Sequence, residues 1–324
     1  MFRIRTARPL RRVLVAGVVL VALTVVAGAV YQHVSDRLDA STTPPGRLID
    51  IGGYRLHMWC KGTGMPAAVF DAGLGDHSFV WNFVLDGVSR FTTACAYDRS
   101  GEGYSDTGPS PRTTSQIASE LATLLDRGDF REPVIVVGAS WGGFTARLFA
   151  SRFPERTAGV VLVDAAHEDQ GFDMPPFAPL VPVAGSLGVL RLARITLGRD
   201  ADTEPDAVRP YQRATLFRAA RYRTLYDEVN HMTESAEQMR NSRVRLSMPV
   251  VVVTSGRGNN DSHWRALQDN QAIISSRGCR IVAEGAGHLV HRDAPEIVVD
   301  AVRRVIQARS NPVSDPCSLP ARPD

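Results

Sequence analysis

Val134-Ile135-Val136-Val137-Gly138-Ala139-Ser140-Trp141-Gly142-Gly143 is the stretch on which the reading of this chain turns. Its first four residues are β-branched and apolar, which suits a strand covered on both faces. The strand runs straight into Gly138-Ala139-Ser140-Trp141-Gly142, a match to G-x-S-x-G, the sharp strand-to-helix turn that lifts a serine off the top of a sheet. Small residues must flank that serine, because the turn packs backbone on backbone and holds the serine in a sparsely allowed conformation. Phe144 to Phe153 then has helical spacing and stops before Pro154. A bare five-residue string arises by chance in unrelated chains. A strand before it and a helix after it supply the context that an incidental glycine-rich turn lacks.

Outward from this turn the pattern repeats. Short apolar runs lie at Arg47–Ile51, Arg55–Cys60, Ala67–Asp71, Ala94–Tyr97, Gly159–Val163, Val250–Thr254 and Arg280–Ala283, making eight with Val134–Val137. Helical patterns separate most of them: Phe79 to Val88, Ile117 to Leu125 with Thr114 or Ser115 as N-cap, and Ile297 to Ile306 after Pro295. Strands alternating with helices predict an α/β fold, a doubly wound and mostly parallel eight-stranded sheet. One interval breaks the rhythm. Residues 166–248 are too many for a connection, and they read as an inserted helical cap with segments at Ala184–Leu197 and Ala207–Asn230. The core is then 47–165 and 249–310, followed by a tail, 311–324.

The N-terminus has a different character. Arg3, Arg5, Arg8, Arg11 and Arg12 crowd the basic segment 1–12, and Val13 to Tyr31 follows without a charge. A helix of that length spans ~28 Å, near the ~30 Å of a bilayer's hydrocarbon. With the arginines on the cytoplasmic side, everything after residue 31 is expected outside the cytoplasm. Residues 13–31 read as a signal-anchor; Ala27-Gly28-Ala29 also fits a signal-peptidase site, which would instead release a secreted protein. Residues 32–46, with Pro44-Pro45-Gly46, read as a linker. The net charge is +3, so the chain beyond the five arginines carries −2, and nucleic acid is set aside as a partner.

An activated serine needs a base. Gly285-Ala286-Gly287-His288 follows the last predicted strand and precedes the last helix, placing His288 at the sheet edge that carries Ser140. Of the eight histidines, His291 is the nearest competitor and is expected at the surface or in a hydrogen bond. His167 and His263 are candidates to touch substrate, while His33, His57, His77 and His231 have no positional argument. No His/Cys cluster has zinc-ligand spacing, and neither metal nor organic cofactor is expected.

These residues together resemble the α/β-hydrolase superfamily, in its capped serine esterase and lipase-like branch, from about Arg47 to Arg309. Tyr97-Asp98-Arg99-Ser100-Gly101-Glu102-Gly103-Tyr104-Ser105 is similar to that family's D-R-x-G-x-G-x-S loop, Gly138 to Gly143 to its elbow, and Gly287-His288 to its histidine loop. Phe70-Asp71-Ala72-Gly73-Leu74-Gly75 lies where the family carries its H-G oxyanion loop, with Ala72 in place of the histidine. The resemblance implies the backbone amides of Leu74 and Trp141 as the oxyanion hole. For the triad acid it leaves two positions. The common one follows the seventh strand, where Gly256-Arg257-Gly258-Asn259 puts an asparagine in place and Asp261 two residues further on. The other is Asp164 at the end of Val161-Leu162-Val163, which is preferred because a helix N-cap accounts for Asp261. The family's sheet order also implies disulfides Cys60–Cys95 and Cys279–Cys317, which an exported chain allows.

The expected reaction is hydrolysis of a small-molecule carboxylic ester through an acyl-enzyme. Ser140 argues against the aspartate-nucleophile relatives of the same fold. Two alternatives stay open. One is a proline-type aminopeptidase that holds a substrate ammonium on cap carboxylates such as Glu204, Glu228, Glu234 or Glu237. The other is a membrane-anchored binding protein without catalysis.

Overall fold

A computed structural model describes residues 7–197, 205–243, 245–311 and 316–318; Arg3, Arg5, Glu204 and most of the tail lie outside the described residues. Eight strands form one sheet: β1 (Arg47–Asp50), β2 (Arg55–Lys61), β3 (Ala68–Asp71), β4 (Ala94–Tyr97), β5 (Val134–Ala139), β6 (Thr157–Val163), β7 (Val250–Ser255) and β8 (Gly278–Ala283). Their order is β1-β2-β4-β3-β5-β6-β7-β8, with antiparallel pairing only at β1–β2 and β2–β4. Alternation divides the side chains between two cores. Ile135 and Val137 of β5 join Val161, Val163, Val251 and Val253 on one face, and Val134 and Val136 join Val160, Leu162, Val250 and Val252 on the other. Because both faces are covered, the strands read as Val-rich runs rather than alternating ones.

The covering helices follow from the same pattern. On the first face lie α2 (Asn82–Val88) and, packed beside it, the last long helix (Pro295–Ser310); on the second lie α3 (Thr114–Arg127) and α4 (Gly142–Arg152). The N-cap of α3 is Thr113, whose hydroxyl accepts from the Gln116 amide, one residue before the expected positions.

Preceding all of these is α1 (Ala7–Asp39), which is long and apolar enough over Arg11–Asp39 to cross a membrane. It does not stop at Tyr31. Its last turns are held by the insertion: Gln32 Nε2 donates to the Phe217 carbonyl at 2.7 Å, and Arg191 pairs with Asp36 at 3.2 Å and Asp39 at 2.8 Å. The non-helical linker is therefore only residues 40–46.

Among its described residues the insertion between β6 and β7 carries five α-helices: α5 (Val181–Ser186), α6 (Val189–Leu197), α7 (Arg209–Leu216), α8 (Ala219–Asn230) and α9 (Met232–Asn241). Each long segment expected there is broken. Gly188, at φ +70°, separates α5 from α6, and Arg218, with extended backbone, separates α7 from α8. Beyond β7 come α10 (Ser262–Ala272), α11 (Val290–Asp293) and α12 (Pro295–Ser310). Disulfides join Cys60 to Cys95, directly paired residues of β2 and β4, and Cys279 of β8 to Cys317 beyond α12.

Candidate active site

The turn after β5 is built by steric exclusion. A Cβ on Gly142 would meet the Asp71 carbonyl oxygen at 2.5 Å, and one on Gly138 or Gly143 would strike the Gly142 carbonyl or the Ala165 side chain. Glycine at these places lets α4 start against β3 and β6. Ser140 between them has φ +49°, in the left-handed region that non-glycine residues rarely adopt. Its amide is held by the Val163 carbonyl at 3.0 Å, and its own carbonyl accepts from Gly143 and Ala166.

Its hydroxyl oxygen lies 3.0 Å from His288 Nε2, and His288 Nδ1 lies 2.7 Å from Asp164 Oδ2. An acceptor carboxylate on Nδ1 makes that nitrogen the donor, so Nε2 is free to accept from Ser140. His288 comes from the loop after β8, shaped by Gly285 at φ +77° and fixed where the Gly287 amide donates to Asp293 at 2.7 Å. Asp164, at the end of β6, also has positive φ, +40°. Its carboxylate accepts from the Ser255 amide (3.0 Å), the Ser255 hydroxyl (3.1 Å) and Trp264 Nε1 (3.0 Å). Burial pushes the Asp164 carboxyl up, but these hydrogen bonds with His288, Trp264 and Ser255 outweigh it and hold it below the ordinary carboxylate range. The hydrogen bond to Asp164 in turn raises His288 above an ordinary histidine, against a smaller opposing effect of burial.

Asp261 is not part of this line. It caps α10, with its side chain accepting from the amides of His263 (2.8 Å) and Trp264 (3.1 Å). Facing Ser140 from the other side is the loop after β3. A Cβ on Gly73 would lie 3.5 Å from Ser140 Cβ. Neither the Leu74 amide nor the Trp141 amide meets a hydrogen-bond acceptor among the described residues.

The model of the alpha/beta hydrolase family matches residues 68–301. The chain belongs to the alpha/beta hydrolase family. An uncharacterized protein of Mycobacterium tuberculosis is 26% identical over 296 residues, 84% of this chain and 84% of the relative. A thermophilic esterase from Thermogutta terrifontis superposes with a TM-score of 0.63 at 20% identity, over 82% of this chain and 99% of its own. An enol-lactonase from Burkholderia xenovorans LB400 does so with a TM-score of 0.62 at 20% identity, over 81% of this chain and 100% of its own. At these identities the two structures speak to the fold.

Within this hydrolase, the loop after β3 is organised by a residue whose role the sequence reading did not single out. The buried Arg99 guanidinium donates to Asp71 Oδ1 (3.0 Å), to the carbonyls of Ala72 (2.8 Å) and Gly73 (2.7 Å), and to Glu228 Oε1 of α8 (3.1 Å). With the Gly73 carbonyl turned to Arg99, the Leu74 amide of the same peptide plane points away from that guanidinium. Glu228 is thus interior and paired, unlike the acidic residues Glu234 and Glu237 on the exposed face of α9.

His57 is a second such residue. Its Nδ1 donates to Asp98 Oδ2 at 2.8 Å and its Nε2 to the Pro45 carbonyl at 2.7 Å, so only the imidazolium satisfies both. Asp98 also accepts from the amides of Ser78 (2.6 Å) and Tyr104 (2.9 Å), which ties β2, the loop after β4 and the 3-10 turn Ser78–Trp81 before α2 together. Burial works against the charge on both, yet the pair prevails, raising His57 and lowering Asp98 to about 2.

The remaining histidines fall elsewhere. His291 is not at the surface: it is buried against the Trp81 ring at 4.9 Å, and burial drops it to about 4. His167 is buried and bonded to Asn270, and His263 lies exposed on α10; neither hydrogen-bonds Ser140 or His288. Among the described residues no three His, Cys, Asp or Glu side chains are grouped to hold a metal ion.

Proposed function

We propose that this hydrolase cleaves a carboxylic ester of a small molecule through an acyl-enzyme, with Ser140 as nucleophile, His288 as general base and acid, and Asp164 as the carboxylate behind it. The observation that carries the reading is the continuous hydrogen-bonded line from Ser140 Oγ through His288 to Asp164, at 3.0 and 2.7 Å. Ser140 attacks the carbonyl carbon as His288 takes its proton, and Asp164 stabilises the imidazolium so formed. The oxyanion rests on the amides of Leu74 and Trp141, worth on the order of 3 kcal/mol each in the transition state. His288 returns the proton to the leaving alcohol; water, deprotonated by the same ring, then frees the acid. That proteins of similar fold include an esterase and an enol-lactonase supports ester chemistry. The inserted residues 166–248 act as the cap over the core, 47–165 and 249–310.

A fluorophosphonate should label the protein at Ser140 and leave Ser140→Ala unlabelled. Labelling of Ser140→Ala would reject the reading, and a wild type that is neither labelled nor hydrolyses any p-nitrophenyl ester would reject it in favour of a binding protein. Aminoacyl-naphthylamides test the aminopeptidase. The pairing of Glu228 with Arg99 speaks against that reading, because it removes an interior carboxylate that would hold an ammonium.

For location, the proposal is an uncleaved signal-anchor, α1, with residues 32 onward outside the cytoplasm. The two disulfides and the arginines before Val13 support export. The docking of Gln32, Asp36 and Asp39 onto the insertion supports retention, since α1 is then part of the folded domain. A reporter that works only outside the cytoplasm, fused after Asp324, should be active, and N-terminal sequencing should find no cut after Ala29.

A further inference from the structure

The insertion exposes apolar side chains that the domain leaves uncovered. Between Met174 and Leu192 six large hydrophobic residues are exposed: Met174, Phe177, Leu180, Val183, Val189 and Leu192, at 40 to 65%. Outside α1 only four others are exposed by 40% or more among the described residues, and those are scattered through the chain. Single exposed apolar residues need no explanation, whereas a cluster does. Phe177, Leu180 and Val183 are three apart along a continuous helical stretch, as are Val189 and Leu192 along α6, so each set forms a stripe on one face. The opposite face of α5 is spoken for: Gly185 presses so closely on the Tyr222 ring of α8 that no Cβ would fit.

What covers the stripe follows from where the insertion crosses α1. The turn Leu187-Gly188 between α5 and α6 meets α1 at Gly28 and Tyr31. A Cβ on Gly28 would come within 2.5 Å of the Leu187 carbonyl, and Gly188 abuts the Tyr31 ring. The charge-free run ends at Tyr31, and the polar locks at Gln32, Asp36 and Asp39 begin with the next residue. The crossing therefore falls on the last turn of a run that spans ~28 Å, about the depth of the hydrocarbon. A tyrosine at that level suits the headgroup boundary. With α1 across the bilayer, α5 and α6 have no height to occupy except the membrane surface, and an amphipathic helix lying there buries its apolar face ~5–10 Å deep.

We propose that the segment Met174–Leu192 is a second membrane contact, lying in the interface beside the exit of α1 with its apolar stripe in the lipid. This rests on the reading of α1 as a membrane span. The docked domain then stands on the bilayer with two attachments, one spanning and one lying flat. Their relative orientation is fixed by Arg191 of α6, which bonds Asp36 and Asp39 of α1.

The test uses the full chain in phosphatidylcholine vesicles containing phosphatidylglycerol, with nitroxide-bearing lipids as quenchers. All four native cysteines are in disulfides, so an introduced cysteine is the sole free thiol for an environment-sensitive fluorophore. Three variants carry the label: Leu180→Cys in the stripe, Val21→Cys in the run, and Ile273→Cys at an exposed apolar site on the core. The label at 180 should be quenched by shallow nitroxides several-fold more than that at 273, and the label at 21 by deep ones. Quenching at 21 with none at 180 beyond that at 273 would overturn the proposal alone. No quenching at 21 would overturn the span itself, and the proposal with it.

Discussion

Arg99 and Glu228 meet at 3.1 Å in the interior, one from the loop after β4 and the other from α8 of the insertion. The same guanidinium holds the carbonyls of Ala72 and Gly73, so a single side chain couples the inserted helices to the loop facing Ser140. Five donors in a rigid fork make this possible, and an ammonium cannot reproduce it. Arg99→Lys is expected to lower kcat on a p-nitrophenyl ester by about two orders of magnitude, roughly the worth of one misplaced oxyanion donor. Arg99→Ala should cost roughly 3–5 kcal/mol in urea unfolding, because Asp71 and Glu228 would be left buried and unpaired. Wild-type kcat in a stable Arg99→Lys variant would mean that the loop holds its own shape.

Asp164 and Asp261 should separate cleanly. Asp164→Asn keeps the shape but removes the charge behind the imidazole, and a fall in kcat of about 10³–10⁴-fold is expected. Asp261→Ala removes the cap of α10 and should cost about 1 kcal/mol of stability. Its kcat should stay near wild type. The reverse pattern of rates would reassign the carboxylate.

How far these residues could be read from the sequence depended on how local their causes are. The strands, the Ser140 turn and the His288 loop are set by alternation and turn chemistry within a few neighbours, and they are legible there. Partnerships across the chain are not. Glu228 looks like a solvated helix face until Arg99, 129 positions away, is placed beside it. His57 is silent until the pairing of β2 with β4 brings Asp98 to it. Residues 32–39 look like a polar linker because Arg191, the cation that receives their carboxylates, belongs to a helix far along the chain. His291 looks like a surface residue for the same reason, since only the packing of α11 against Trp81 decides its burial.

The two disulfides close stretches of 35 and 38 residues. Loop entropy in the unfolded chain gives each roughly 3–4 kcal/mol. Reduction should therefore lower the urea midpoint markedly, and the Cys60→Ala/Cys95→Ala variant should show about half of that loss before reduction and the remainder after it. A midpoint indifferent to reductant, with four thiols confirmed free by mass, would show that the fold does not depend on them.

The pH dependence of the reaction has a definite sign. On the proposed mechanism the base must be neutral, so activity is lost as pH falls through the pKa of His288. The hydrogen bond to Asp164, reinforced by the charges of Asp164 and Asp76, raises that pKa, so the acid limb of kcat/KM should lie above the ~6.5 of a free histidine. Asp164→Asn removes the largest of these causes. Its residual activity should show the limb moved to lower pH, together with the drop in rate. Asp76→Asn removes the weakest of these causes, and the limb should move the same way by less. An acid limb that stays in place in Asp164→Asn would mean that the group titrating in the profile is not His288.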